Sequence, residues 1–227
     1  IAVRADVSPD AKASATGVAV AGGLAVGTAI ANATVDPLVR ALIEGNASLP
    51  SLAQFTAGNL SVRATGSVFG TALGDAIDLS DSTSGFARGG LSAAASALAA
   101  SGAFYVSATG TRASASNTAR VTASVGDNVR LPAATVTVAA SNTTAQGATA
   151  SGITGGTAAI GVVLAEADAD TATTASLGNG VRMEAAGSGS LAVTATGSDT
   201  QVVRSQAGSG GLYAGSGAEG RTSGRSA

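Results

Sequence analysis

The side chains of this chain that could do chemistry are few, and most stand apart. Asp75, Asp78 and Asp81 recur at intervals of three within Gly74-Asp-Ala-Ile-Asp-Leu-Ser-Asp-Ser-Thr. Ca²⁺ takes several carboxylate and carbonyl oxygens from a flexible segment, so these three are calcium candidates; a solvated loop of turn residues is the plainer alternative. Glu166, Asp168 and Asp170 alternate with Ala165, Ala167 and Ala169. On a strand that spacing puts three carboxylates on one face, either to hold cations between stacked strands or simply to meet water. Lys12 is the only lysine, and a Ser–Lys dyad would have to join it to a serine such as Ser14, a pairing that comes free in so serine-rich a chain. Gly215-Ser-Gly217-Ala-Glu-Gly220 fits GxGxxG, but Arg-Thr-Ser-Gly-Arg follows where a dinucleotide fingerprint needs a helix. Asn-x-Ser/Thr triplets start at Asn32, Asn46, Asn59 and Asn142 and matter only to a glycosylating secretory pathway.

What is missing narrows the field further. The chain has no histidine and no cysteine, which removes a Ser-His-Asp triad, an imidazole base, thiolate ligands and disulfides together. A paired-carboxylate glycosidase or lyase would call for aromatic platforms and clustered charge, and the chain has four Phe, two Tyr and no Trp. The expectation is therefore no enzyme, with no catalytic or cofactor-binding residue and no resident cofactor beyond the calcium candidates. Twelve basic residues lie singly among fourteen acidic ones, with no basic stripe, which argues against a nucleic-acid partner.

The elements that would carry these residues are repeated. A strand phrase of alternating apolar residues occurs four times: Ile1-Ala-Val-Arg-Ala5, Leu60-Ser-Val-Arg-Ala64, Val136-Thr-Val-Ala-Ala140 and Leu191-Ala-Val-Thr-Ala195. Each is followed by a double glycine: Gly22-Gly23, Gly89-Gly90, Gly155-Gly156 and Gly210-Gly211. A third mark, an apolar strand end running into a Gly-Asn or Gly-Asp-Asn turn, begins at Ala41, Ala123 and Ala175. Fixed order at a recurring period is the signature of a repeat architecture. The expected division is one array with repeats 1–59, 60–135, 136–190 and 191–227, the last incomplete, read as a stretch of something longer. Spacing places an insertion of about fourteen residues in the second repeat, with Leu91 to Ser101 as its site, an Ala-rich run of helical spacing.

Strict alternation prevails between the marks, as in Gly17-Val-Ala-Val-Ala21 and Ala29-Ile-Ala-Asn-Ala-Thr-Val35, and period two is the β signature. Residues 13–35 carry no charge and include Gly23-Leu-Ala-Val-Gly27, the spacing of helix dimers. Their counterpart in the third repeat runs into alternating carboxylates, so a spanning helix is rejected. Large side chains are scarce, so a broad core is beyond this chain; a slender column of Val, Leu, Ile and Ala is not. The expected fold is all-β: a repetitive, parallel-β-helix-like β-solenoid with a short Ala-rich helical insertion near 91–101. At roughly 20–25 residues per coil and ~4.8 Å per coil, the expectation is about ten coils, two or three to a repeat.

These phrases, the double glycines, the Ala-x-Ala-x-Ala runs and the Gly-Asn turns resemble the repeat regions of giant bacterial surface adhesins, the large filamentous-haemagglutinin-like exoproteins. The resemblance spans the whole chain and carries over no functional residue. It implies an extracellular or cell-surface segment forming a stalk or fibre. Its partners would be neighbouring repeats, other copies of the chain, or a host or neighbouring cell. Absence of cysteine suits a protein exported unfolded. The alternatives are a self-assembling filament or sheath subunit, and an ice- or surface-binding array using Thr rows such as Thr135 and Thr137.

Overall fold

The computed structural model describes residues 1–45, 58–67, 91–131, 135–184 and 189–227. Every regular element among them is a strand. The first repeat supplies β1 (Ala2–Val7), β2 (Ala11–Ala21), β3 (Leu24–Val35) and β4 (Leu38–Ile43). The second supplies β5 (Asn59–Gly66), β6 (Ala93–Ala103), β7 (Val106–Asn117), β8 (Arg120–Val125) and β9 (Arg130–Leu131). The third gives β10 (Thr135–Gly155), β11 (Ala158–Leu177) and β12 (Arg182–Met183), and the fourth β13 (Ser190–Gly210) and β14 (Tyr213–Ser226).

Each repeat runs out along one sheet, turns, and returns along a second sheet that faces the first. All pairings are parallel, and each joins a repeat to the next one in sequence. Parallel neighbours need a crossover, and here the opposite sheet makes it, in place of a helix. The strand phrases meet in register: Val3 pairs with Val62, Val62 with Val138, and Val138 with Val193. Ala41, Ala123 and Ala175 likewise form one column across the return sheet. Each repeat therefore lays one row in each sheet. The expectation of two or three coils per repeat is corrected: β10 runs unbroken through 21 residues and β11 through 20, so no turn subdivides the row.

The helix expected near 91–101 is also corrected. Ala93–Ala103 is β6, paired along its length with Ala11–Ala21 on one side and from Ala93 to Gly102 with β10 on the other. Alanine's helix preference amounts to tenths of a kcal/mol per residue, roughly 0.7 or less over ordinary residues. Pairing on both sides, with Ala93, Ala95, Ala97 and Ala99 buried, outweighs it. The extra length of the second repeat lies before this strand, in residues 67–92, where the first and third repeats use only 8–10 and 143–145. Gly89-Gly90 falls outside the described residues, and the turn that Gly22-Gly23 makes in the first row is made in the second by Phe104-Tyr105.

The core is split along the row. Toward the start of each row Leu60, Val62, Val136 and Val138 pack across the gap on Val39, Val121, Val125 and Leu131. Further along the row the inward residues are mostly alanine, among them Ala29, Ala31, Ala97, Ala115 and Ala148, and next to the turn they are small and partly polar, with Ser101, Ser107, Thr109 and Thr154 buried. The sheets close on each other there. A Cβ built on Gly17 would overlap the Thr28 carbonyl oxygen and lie 2.9 Å from its carbon, and one on Gly27 would lie 2.5 Å from the Ala100 oxygen. At the far end, Asn128 (φ 56°) and Gly180 (φ 70°) hold the stacked turns in the left-handed region, where Asn and Gly are the residues that fit. The Asn128 N–H donates to the Asn179 carbonyl, joining the two turns.

Candidate functional site

Between the two apolar segments the interior turns polar. Asn142, Thr144 and Gln146 are successive inward residues of β10, all buried. Beside them in the fourth row stand Gly197, Asp199 and Gln201. The return sheet contributes Asn117, Thr171 and Thr173, also buried. Thr144 Oγ1 donates to Asp199 Oδ1, and Thr171 Oγ1 donates to Asp199 Oδ2 at 2.7 Å. One carboxylate thus ties the third row to the fourth and one sheet to the other. The Asn117 carbonyl oxygen of the side chain accepts the Ala119 N–H at 3.0 Å, bending the chain between β7 and β8.

Several groups in this segment have no hydrogen-bond partner among the described residues: Asn117 Nδ2, both polar atoms of Asn142 and of Gln146, and Thr173 Oγ1. Glycine flanks Asn142 in both adjacent rows, at Gly66 and Gly197, and a Cβ on Gly66 would lie 2.6 Å from Asn142 Oδ1. At the fourth row a recess of about 350 Å³ opens between the sheets, lined by Gly197, Asp199, Gln201, Thr222, Gly224, Arg225 and Ser226. The chemistry this arrangement offers is hydrogen bonding to water or a small polar group. Its one carboxylate, Asp199, is engaged by two threonine hydroxyls, an arrangement that joins the rows and the sheets.

The residues singled out from the sequence are placed as follows. Asp75, Asp78 and Asp81 lie outside the described residues, as does Asn46. Glu166, Asp168 and Asp170 do share one outer face of β11, and each is engaged by a neighbouring row. Arg112 Nη2 donates to Glu166 at 2.6 Å, Ser223 Oγ donates to Asp168, and Arg120 Nη2 reaches Asp170 at 3.1 Å. The row is a ladder between repeats. Among the described residues no three His, Cys, Asp or Glu side chains gather as a metal site. Lys12 pairs with Asp10 at 3.2 Å. Gly215–Gly220 lies inside strand β14, with no helix to receive a phosphate. Asn142 is buried, Asn32 is exposed on β3, and Thr137 has Ser61 and Ala192 as row neighbours, so the Thr row does not extend across the sheet. Residues 13–35 form β2, the Gly22-Gly23 turn and β3, and among the described residues no helix is long and apolar enough to cross a membrane.

Sequence reasoning passed over Asp199 and saw Asn142 only as a glycosylation triplet. The signal was present in the alternation: Asn142, Thr144 and Gln146 continue the inward phase set by Val136, Val138 and Ala140. Comparison of the chain with protein-family models, with curated proteins and with solved structures finds no match.

Proposed function

We propose that this chain is a structural segment of an extracellular bacterial surface protein, a wide β-solenoid serving as stalk or fibre with one repeat per coil. The observation that carries this reading is the column Val3–Val62–Val138–Val193, in which, among the described residues, each repeat pairs only with its neighbours in sequence. Such stacking can be extended by adding repeats without changing any existing contact. The Asp199 carboxylate held by two threonine hydroxyls, and the carboxylate ladder engaged by Arg112, Arg120 and Ser223, give these charges a part in joining rows, as a scaffold requires. The adhesin-like style of the repeats supports the surface location.

The test is to insert further copies of residues 136–190 and measure the particle by small-angle scattering. Four added copies lengthen a stacked array by about 19 Å along the stacking axis, at ~4.8 Å per row, and leave its cross-section unchanged. Growth of the cross-section, or an unordered profile, overturns the reading.

A second reading, a filament or sheath subunit, draws on the two open sheet edges. Among the described residues, β13 and β14 pair on one side only, as do β1, β2, β3 and β4 at the other end of the stack. Unpaired parallel edges invite a further chain. Electron microscopy of the purified chain decides between the two: fibres with an axial repeat of about 19 Å, four rows per subunit, make assembly the primary role.

A further inference from the structure

The turn of the third row holds Asn179-Gly180, the one Asn-Gly pair in the chain; every other asparagine precedes Ala, Leu, Thr or Val. An asparagine side chain is open to attack by the backbone nitrogen that follows it, and a Cβ on the following residue obstructs that approach. Strand pairing obstructs it too, because a ladder holds the backbone extended. Asn32, Asn59, Asn117 and Asn142 lie within strands, and Asn46 lies outside the described residues. Asn128 and Asn179 lie in the stacked turns, and both are exposed.

Those two turns meet the same need with different residues. The second row puts Asn128 in the left-handed region (φ 56°), and the third puts Gly180 there (φ 70°), so in the third row a glycine comes to follow an asparagine. Gly180 is exposed, and among the described residues nothing accepts its N–H. The turn is clamped to the second row on either side. The Gly178 N–H donates to the Val125 carbonyl at 2.7 Å, and the Arg182 N–H to that of Val129 at 3.0 Å. Between these clamps the Asn179 N–H donates to Asp127 Oδ1 at 2.6 Å, and the Asn179 carbonyl accepts the Asn128 N–H at 2.7 Å.

We propose that Asn179-Gly180 is a self-modifying site, which converts in water to aspartate and isoaspartate and thereby opens the joint between the second and third rows. The Gly180 nitrogen gives its proton to hydroxide and bonds to Asn179 Cγ. The Cγ–Nδ2 bond breaks, and Nδ2 takes a proton from water and leaves as ammonia. The cyclic succinimide so formed is opened by water at either carbonyl. Cleavage between the nitrogen and Cγ leaves aspartate; cleavage between the nitrogen and the main-chain carbonyl leaves isoaspartate, in which the chain runs through Cβ and Cγ. Both products set a carboxylate beside that of Asp127, and like charges at close range repel. Isoaspartate also adds a carbon to a turn clamped on both sides, and the carbonyl that accepted the Asn128 N–H becomes part of a free carboxylate. Val181 and Met183, which follow the turn and pack on the core beside Val129 and Leu131, lose the anchor that sets their register. This inference rests on the bonding of the turn and holds whether the array is stalk or filament.

The test is to hold the folded chain at mildly alkaline pH and sample it over days by tryptic mapping, which puts Asn128 and Asn179 in separate peptides. Asn179 converts at least about tenfold faster than Asn128, a barrier lower by about 1.4 kcal/mol. The rate rises with pH, since hydroxide takes the Gly180 proton, and electron-transfer fragmentation finds isoaspartate at position 179. Gly180→Asn gives the third turn the residue that the second already uses in the left-handed region, so the turn is kept and conversion slows to that of Asn128. Hydrogen exchange then reads the joint. The aged chain loses protection of the Asn128 N–H, while fresh Asn179→Asp, which brings the charge without lengthening the main chain, retains more of it. Conversion of Asn179 in the urea-unfolded chain but not in the folded one overturns the proposal, because it shows that the clamps hold the turn out of reach. So does conversion of Asn128 at an equal rate, or an aged chain whose Asn128 N–H is as well protected as in the fresh one.

Discussion

Replacing Gly17 with alanine tests how closely the two sheets approach. Gly17 faces inward on β2, and the carbonyl it would strike, that of Thr28, belongs to the backbone of β3 in the facing sheet. Neither partner is a flexible side chain that could swing aside. To restore an ordinary contact the sheets must part by about 1 Å, and a gap of that size forfeits a quarter to a half of the dispersion energy of the contacts lining it. Overpacking of this kind costs about 1–3 kcal/mol. The substitution also stiffens the unfolded chain, which alone would stabilise by about 0.4–1 kcal/mol. The net expectation is a loss of about 1–2 kcal/mol, a fall of roughly 2–8 °C in melting temperature for a chain of this size. Gly102 is the control, because a Cβ built there meets nothing within 4 Å. Gly102→Ala keeps only the entropic gain and melts at or slightly above the parent. Thermal unfolding followed by circular dichroism compares the two. Should Gly17→Ala melt as high as Gly102→Ala, the close approach of the sheets, and with it the account of why alanine fills this half of the core, is wrong.

Three further expectations concern other parts of the row. Asn142→Val, which puts the side chain of Val7 into the next-but-one row of the same column, removes two unpartnered buried polar atoms. It should raise the urea midpoint, by as much as about 1–3 kcal/mol in stability, and a lowered midpoint would show that Asn142 is satisfied in the folded chain. At the stacked turns Asn128→Gly should change stability by only tenths of a kcal/mol, about 0.5 at most, whereas Gly180→Val, at φ 70°, should cost about 1–2 kcal/mol or more; equal effects would mean that the left-handed conformation is not required there. Arg112→Ala breaks an ion pair whose arginine is about half exposed, so its effect on unfolding should stay below about 1 kcal/mol and vanish at high salt.

The alternation of Val, Leu and Ala made the strands legible, and the recurrence of Leu-x-Val-x-Ala phrases made their stacking legible, since columns of like residues are what parallel in-register rows produce. The number of turns per repeat was not. Turn chemistry marks where a chain can bend, and Gly147, Gly152 and Gly161 are bends that were not taken: all three lie inside β10 or β11. Gly152 is instead small because the Val163 side chain occupies the space beside it, with a built Cβ only 2.8 Å from Cγ2. The Ala-rich run at 91–101 misled for a related reason. Its composition reads as helix when its neighbours are ignored, and its neighbours, Ala11–Ala21 and β10, are far away in sequence. The polar interior was hidden because Asn142 and Asp199 are ordinary surface residues by type, and only the inward phase of their strands turns them to the core.

The 21-residue span of β10 has a mechanical consequence. A row about 70 Å long in sheets about 10 Å apart gives the proposed array the cross-section of a flat ribbon. Resistance to bending grows with the cube of the dimension in the plane of the bend, so such a ribbon is on the order of fifty times stiffer edgewise than flatwise. Thr135 and Ser190 are one row apart and 55 residues apart in sequence, so each residue adds only about 0.09 Å to the ribbon's length. A protein built this way gains little reach per residue. It gains a surface that flexes readily about one axis and holds firm about the other.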